Sequence, residues 1–218
     1  MNGGYSKFLT IFLIIIVVGI LSVGGYLGYN YYKEWKIENG ASKIVDEFKQ
    51  VTHVKNKNEV IIVDVTSDNN TTEPETSDEV YQYTPITYEN EDVIGLIEIP
   101  AIGIEYPVLA TATARALNIS VAYLYGPGLN KVGNTVIAGH NYRNGTLFSK
   151  NKRLEIGDVI FITDTAGAVV RYVIYDKYIT NTRDSAYLTR DTGGTREISL
   201  KTCTDDAIDN LIICAREE

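Results

Sequence analysis

Hydrophobic and polar positions divide this chain into three stretches of different pattern. From Phe8 to Tyr29 no residue is charged, and about 20 apolar residues suffice to cross a bilayer. Residues 34–91 are rich in polar and acidic side chains. From residue 92 onward short apolar runs alternate with turn residues, which is typical of β-strands. We therefore predict a membrane anchor with a short cytoplasmic end over 1–33, a largely flexible acidic linker over 34–91 and a β domain over 92–218.

The first apolar run is expected to stay attached as an uncleaved signal anchor. No small-residue cleavage site of the A-x-A type follows it, as a cleaved signal peptide would require. Tyr26, Tyr29 and Trp35 stand at its C-terminal end, where an interfacial aromatic belt is expected. Lys7 precedes the run and Lys33 follows it, so the basic residues do not set its orientation.

The predicted linker contains few positions that could be buried. Ile44 to Phe48 fits a short helix and Val60 to Val63 a short strand. The stretch from Thr66 to Glu79 has no apolar residue to bury, which indicates disorder. His53 has no second ligand type nearby, so we interpret it as a solvated histidine.

The C-terminal stretch predicts seven short strands separated by turns and loops. One short helix fits Thr111 to Leu117, and Asn181 to Gly194 is expected to be a loop, with one helical turn at 185–188. Strands at this spacing favour a closed all-β barrel or a sandwich. The predicted strands cover residues 93–100, 102–109, 134–140, 159–162, 169–180, 197–203 and 210–216.

The net charge and the small number of cysteines exclude some classes of function. A formal net charge of −8 argues against a nucleic-acid partner, because binding phosphates requires clusters of Lys and Arg. Two cysteines cannot build a disulfide scaffold, and one of them, Cys203, closes a predicted strand. A cysteine is a nucleophile only as its thiolate, and histidine is its usual partner. His140 closes another predicted strand, so the pair is a candidate catalytic site, with no metal or cofactor expected.

Local sequences around both residues resemble those of sortases. Ser199-Leu200-Lys201-Thr202-Cys203 resembles the T-L-x-T-C signature, with serine in place of the first threonine. Residues 133–140 resemble the sortase histidine strand. Three further segments fall, in order, where sortases carry similar residues; they are Ile97-Glu98-Ile99-Pro100, Pro107-Val108 and Leu154-Glu155-Ile156-Gly157-Asp158.

This resemblance, over about 92–217, implies an eight-stranded β-barrel held outside the cell membrane of a Gram-positive bacterium by one membrane span. It implies cleavage of an LPXTG-like sorting signal after the threonine, with a thioacyl intermediate on Cys203. His140 would protonate the leaving amine and later deprotonate the incoming one. The implied partners are surface proteins that bear sorting signals and an amine of a cell-wall precursor or a pilin.

One residue of the sortase pattern is absent. Sortases carry an arginine that opens the strand after the cysteine, just before an apolar run, and Asn210 stands there in this chain. We expect Arg216 to lie too far away, about 20 Å along the strand. An asparagine N–H can stabilise an oxyanion, so Asn210 is one candidate replacement. Arg183 or Arg190 from the preceding loop is another.

Further expectations concern the second cysteine, calcium binding and the class of sortase. Cys214 is expected to be a packed hydrophobe, which leaves two free thiols. Asp184 and Asp191 are candidates for calcium ligands, although two spaced carboxylates on a loop are usually solvated. The sequence shows neither an obvious lid motif nor a second anchor, which favours a compact housekeeping-like or class D-like sortase. The alternatives are a cysteine protease that hydrolyses its thioester, and a weakened barrel that binds sorting signals or a wall partner.

Overall fold

The computed structural model describes residues 3–52 and 85–218, with side chains from residue 7 onward. Helix α1 spans Gly3–Thr52. By length and composition it is long and apolar enough to cross a membrane, with Lys7–Thr52 as the candidate span. Its large apolar side chains from Phe8 to Trp35 are exposed. Residues up to Gly40 form one compact unit, and Ala41–Glu218 form another.

The last three turns of α1 pack into the second unit. Ala41, Val45 and Phe48 recur at helical spacing and are at most 5% exposed. Val45 and Phe48 join a core cluster that includes Val93 and Leu109. Residues 41–52 therefore lie with the β domain, whereas the sequence placed them in a linker with a short helix over 44–48. The amphipathic spacing continues past the predicted helix end, and the barrel supplies the apolar partner.

The predicted strand over 60–63, His53 and the acidic stretch over 66–79 lie outside the described residues. Residues 85–91, also assigned to the linker from sequence, carry a short strand whose Tyr88 and the preceding Ile86 are buried in the core cluster just described.

Eight strands close into a barrel, which confirms the predicted fold class. The sheet order is β1-β2-β3-β4-β5-β8-β9-β7-β6, and β2 also pairs with β6 to close the ring. Two-residue β1 adds only to β2. The strands are β1 (Thr87–Tyr88), β2 (Glu91–Ile99), β3 (Ile104–Leu109), β4 (Val121–Tyr125), β5 (Gly133–Ala138), β6 (Val159–Asp164), β7 (Val169–Asn181), β8 (Arg196–Cys203) and β9 (Asp209–Glu217).

Two pairings in the ring are parallel and therefore need crossover connections. Helix α2 (Ala114–Ile119) connects β3 to its parallel neighbour β4. Strands β5 and β8 also run parallel, so their C-terminal ends emerge on the same side of the barrel. Sequence reasoning missed β4, which is only five residues long, and a 3-10 helix over Phe148–Arg153.

Strands β5, β8 and β9 are covered on both faces for part of their length. On β8 the alternate residues Ile198, Leu200 and Thr202 are at most 2% exposed, as expected for positions facing the barrel interior. The outer face carries a second apolar cluster, in which Val136 and Ile212 pack with Tyr187 of the loop over 182–195. This loop therefore covers the outer face near the middle of the three strands.

Candidate active site

The parallel pair β5 and β8 brings His140 and Cys203 to the same edge of the barrel. Ala138 pairs with Lys201 in register, and the N–H of Gly139 donates to the carbonyl of Lys201 at 3.1 Å. His140 and Cys203 each stand two residues beyond that pair. Both are half-buried, so the two candidate residues occupy equivalent, accessible positions on neighbouring strand ends.

Close packing under His140 explains the glycine before it. A Cβ on Gly139 would lie 2.7 Å from the Phe148 ring and 2.9 Å from the Val121 side chain, so no larger residue fits. The N–H of Phe148 donates to the carbonyl of His140 at 3.2 Å. The His140 ring lies 5.1 Å from the ring of Tyr142, centroid to centroid. The histidine backbone is thus fixed on the 3-10 helix of residues 148–153.

Asn141 ties the two strand ends together. Its Nδ2 donates to the carbonyl of Cys203 at 3.1 Å and to Asp205 Oδ1 at 2.9 Å, and its Oδ1 accepts from the N–H of Arg143 at 3.1 Å. One side-chain amide therefore contacts Cys203, Asp205 in the turn that follows it, and Arg143 in the loop after His140. Asn141 was not predicted from sequence, because the two residues to which it donates are more than 60 positions away.

Asp205 receives a second tether from the 3-10 helix. Lys152 Nζ lies 2.6 Å from Asp205 Oδ2. The hydrogen bonds from Lys152 and then Asn141 hold the pKa of the Asp205 carboxyl below its usual range. The carboxylate is therefore ionised at neutral pH and joins the loop after Cys203 to the loop after His140 and to the 3-10 helix.

Asn210 lies directly opposite Cys203, as the sequence predicted. The antiparallel register of β8 and β9 pairs Cys203 with Asn210 and Glu197 with Arg216. Arg216 is thus six residues from the cysteine level, the separation expected from sequence. Asn210 is 3% exposed, and its Oδ1 is buried with no hydrogen-bond partner among the described residues.

Of the two loop arginines considered from sequence, Arg190 lies away from the cysteine. Its guanidinium donates to Glu197 Oε2 at 2.6 Å, to Ser199 Oγ at 3.2 Å, to Asn134 Oδ1 at 3.2 Å and to Cys214 Sγ at 2.9 Å. Ser199 stands four residues before Cys203 on β8, or about 13 Å along the strand. Arg190 therefore anchors the loop over 182–195 to the barrel.

Glu197 is the centre of this anchor. It is 1% exposed and also accepts hydrogen bonds from Tyr175 Oη at 2.7 Å and from Arg216 Nε at 2.9 Å. Burial by itself would raise the pKa of the Glu197 carboxyl, but the donors Tyr175, Arg190 and Arg216 outweigh it and hold that pKa below its usual value. The buried carboxylate stays charged because three donors share it.

Arg183, the other loop arginine, stands at the end of the barrel that carries Cys203. Thr180 pairs with Asn210 and Asn181 with Asp209, so the turn that carries Arg183 follows at the level of Cys203. Its side chain is exposed. Two interstrand spacings, about 10 Å, separate the strands β7 and β8 there.

Cys214 and Asp184, the other residues considered from sequence, have their side chains in contact with neighbouring protein groups. Cys203 and Cys214 are both free thiols, and Cys214 is buried. Burial raises the pKa of the Cys214 thiol, and Arg190 offsets part of that rise. Asp184 accepts from the Thr180 hydroxyl and the Ala186 N–H, and these bonds lower the pKa of its carboxyl. Among the residues described, no group of three or more His, Cys, Asp or Glu side chains could hold a metal ion.

Comparison with known proteins covers the barrel. Residues 97–218 match the sequence model of the Sortase domain family. Sortase A of Bacillus anthracis is 27% identical over 152 residues, which is 69% of this chain and 68% of that protein.

Solved structures agree with this match. Sortase D5 of Clostridium perfringens, described as a transpeptidase, aligns with a TM-score of 0.53 at 27% identity, over 58% of this chain and 79% of that one. Sortase A of Corynebacterium diphtheriae aligns with a TM-score of 0.54 at 27% identity, over 59% of this chain and 62% of that one. The near-equal scores do not separate the sortase classes. The family match covers more than half of the residues and includes both strand ends that carry Cys203 and His140, and the chain belongs to the sortase family.

Proposed function

We propose that this protein is a membrane-anchored sortase that cleaves an LPXTG-like sorting signal and transfers the new acyl end to a cell-wall or pilin amine. Membership of the sortase family supports transpeptidation in general. The observation that carries the specific proposal is the parallel register of β5 and β8, which brings His140 and Cys203 to equivalent positions at one barrel edge. The apolar helix α1 is the proposed membrane anchor, with the barrel on the extracytoplasmic side.

In the proposed first step the Cys203 thiolate attacks the carbonyl carbon of the signal's threonine. A carbon–sulfur bond forms, the bond between threonine and glycine breaks, and His140 gives a proton to the departing amine. In the second step His140 accepts a proton from the incoming amine as its nitrogen attacks the thioester. The new amide forms, the carbon–sulfur bond breaks, and the thiolate is restored.

Asn210 is the proposed donor to the oxyanion of both tetrahedral intermediates. It lies opposite Cys203 in register, and an amide N–H aimed at a developing oxyanion is worth about 3–4 kcal/mol in other acyl-transfer enzymes. Asn210→Arg tests whether the missing arginine limits the rate, because a guanidinium at that position would supply a charged donor. A rise in rate would support that argument, and no gain would count against it.

A mass-spectrometric assay of the full-length protein in detergent tests the proposal. The protein is incubated with an LPXTG-type peptide and an amine such as a short glycine peptide. An amine-capped product supports the proposal, whereas only hydrolysed peptide would identify a cysteine protease.

The asparagine at position 210 favours one alternative, a weakened barrel that binds sorting-signal peptides or a wall partner. Its signature is absence of both products while Cys203 is still fully alkylated by iodoacetamide.

A further inference from the structure

Lys201 lies on the outer face of β8, two residues before the proposed nucleophile. It stands two residues before Cys203 on β8, and side chains at that spacing lie on the same face of a strand, about 7 Å apart. The intervening Thr202 is buried on the other face. Lys201 is therefore the strand residue nearest to Cys203 on the accessible side of β8.

The neighbours of Lys201 on both sides are apolar. Its register partner on β5 is Ala138, which is 5% exposed, and its partner on β9 is Ile212, which is fully buried. Ile212 also packs with Tyr187 of the loop over 182–195. Lys201 thus lies between the covered part of the face and the open cysteine, with an apolar residue on each neighbouring strand.

The ammonium of Lys201 forms no ion pair in the part of the chain that the structure describes. It makes no hydrogen bond or ion pair there, although its side chain is half-buried. Lys152, by contrast, already pairs with Asp205 in the loop after Cys203. A partly desolvated cation without a partner is stabilised by an anion that arrives with a ligand.

The geometry points to Lys201 as a subsite for a carboxylate on the variable residue of the sorting signal, immediately before the cleaved threonine. This inference rests on the proposed function. With the threonine carbonyl at Cys203, an extended peptide running back along β8 places the preceding residue about 3.3 Å nearer to Lys201. The four-carbon stem of the lysine then lets its ammonium meet a glutamate carboxylate. The preferred substrate class is an LPXTG-like signal with an acidic residue at X.

Long-range charge would act in the opposite direction. The whole chain carries a formal net charge of −8 and therefore repels acidic peptides beyond contact range. At physiological ionic strength that repulsion is screened within about 8 Å. A preference for an acidic peptide would thus report a local contact rather than the field of the whole protein.

Binding to the full-length Cys203→Ala protein tests the inference without any turnover. Fluorescence anisotropy would give Kd for three labelled peptides, LPETG, LPQTG and LPKTG. We expect LPETG to bind about three- to tenfold more tightly than LPQTG, with LPKTG weakest, as for a partly buried ion pair. Equal affinities would overturn the subsite.

Two further changes separate charge from packing. Lys201→Met keeps the aliphatic stem and should equalise LPETG and LPQTG, whereas Lys201→Glu should make LPKTG the best ligand. Lys131→Glu is the matched control, because it makes the same charge change on an exposed residue before β5 and should leave the order unchanged. The same change of order in both Lys→Glu variants would contradict a local contact.

Kinetics distinguishes this inference from the proposed function. With Cys203 intact, the selectivity should appear in kcat/KM and vanish in Lys201→Met. If Lys201→Met lowered kcat equally for all three peptides, Lys201 would act on the acyl transfer and the subsite would be wrong. If no peptide reacted but the binding order held, the transfer function would fail while the subsite stood.

Discussion

Cys203 and Cys214 lie on the same outer face of one sheet, yet their surroundings are opposite. Cys203 ends β8, is half-buried and stands beside the end of the histidine strand. Cys214 faces Ser199 in mid-sheet, is 1% exposed and accepts a hydrogen bond from Arg190. Burial raises the pKa of the Cys214 thiol, which keeps it protonated and unreactive. Position in the barrel, rather than residue type, separates the proposed nucleophile from a packed thiol.

The same contrast extends to the two ends of the outer face. At the covered end Glu197, Arg190 and Arg216 form a dense network that fixes the loop over 182–195. At the open end Asn141 and Lys152 hold the loops around Cys203 through exposed bonds. Buried polar bonds hold the covered end together, while at the open end His140 and Cys203 remain only half-buried.

The largest expected effect separates the two cysteines. Cys203→Ala should lower transpeptidation by at least about 10³-fold, because the chain's other thiol, Cys214, is buried and cannot take its place. Cys214→Ala should leave kcat within a few-fold. Mass spectrometry of the amine-capped product measures both. Equal losses in the two variants would remove the distinction between open and buried thiols.

Replacing His140 should lower kcat almost as much and should leave the free energy of unfolding nearly unchanged. His140→Ala removes the proposed proton donor and acceptor, so kcat should fall by about 10²–10⁴-fold. Because the side chain is half-buried at a strand end, the free energy of unfolding should change by less than about 1 kcal/mol. Steady-state kinetics and urea titration give the two numbers. Loss of activity with a large loss of stability would point to a structural role instead.

At the covered end, replacing Glu197 should affect the stability of the protein. Glu197→Gln leaves Arg190 and Arg216 without their carboxylate, which should cost about 3 kcal/mol in the free energy of unfolding at pH 7. The folded-state pKa of Glu197 is lowered, so its stabilisation is present above the unfolded pKa, about 4.3. It is lost as pH falls through the lowered folded value.

Urea titration from pH 7 to pH 3 checks this dependence. The stability difference between the natural protein and Glu197→Gln should shrink towards the acid end. Glu217→Gln is the control, since Glu217 pairs with Arg196 but is more exposed and should cost at most about 1 kcal/mol. A constant difference across that pH range would contradict a charged Glu197.

Much of this arrangement was readable from local sequence. The strand ends at His140 and Cys203, the pairing of Cys203 with Asn210 and the remoteness of Arg216 all depend on short segments whose register follows from the turn between β8 and β9. The order of apolar and polar residues is enough to indicate them.

Other features depend on contacts distant in sequence. Arg190 donates to Asn134, which is 56 positions away, and Asn141 to the carbonyl of Cys203, 62 positions away. Neither has a local signal. The packing of Phe48 on the barrel was also missed, because the sequence alone does not show which surface would cover that helix.

Asn141 is expected to give the smallest effect and the finest probe of the open end. Asn141→Ala removes donors to the Cys203 carbonyl and Asp205, so kcat should fall about tenfold, from about 1–1.5 kcal/mol of lost positioning, with KM little changed. Asn144→Ala is the control, because Asn144 bonds only within its own loop, to Thr146. Equal effects of the two variants would show that the loop, rather than the tether, sets the rate.

The most direct measurement locates the covalent intermediate. Full-length protein in detergent is mixed with an LPXTG-type peptide without an added amine, quenched in acid and digested, and the thioester-linked peptide is mapped by tandem mass spectrometry. We expect the acyl group on Cys203, absent in Cys203→Ala and diminished in His140→Ala. An acyl group on Cys214, or one that persists in Cys203→Ala, would contradict it.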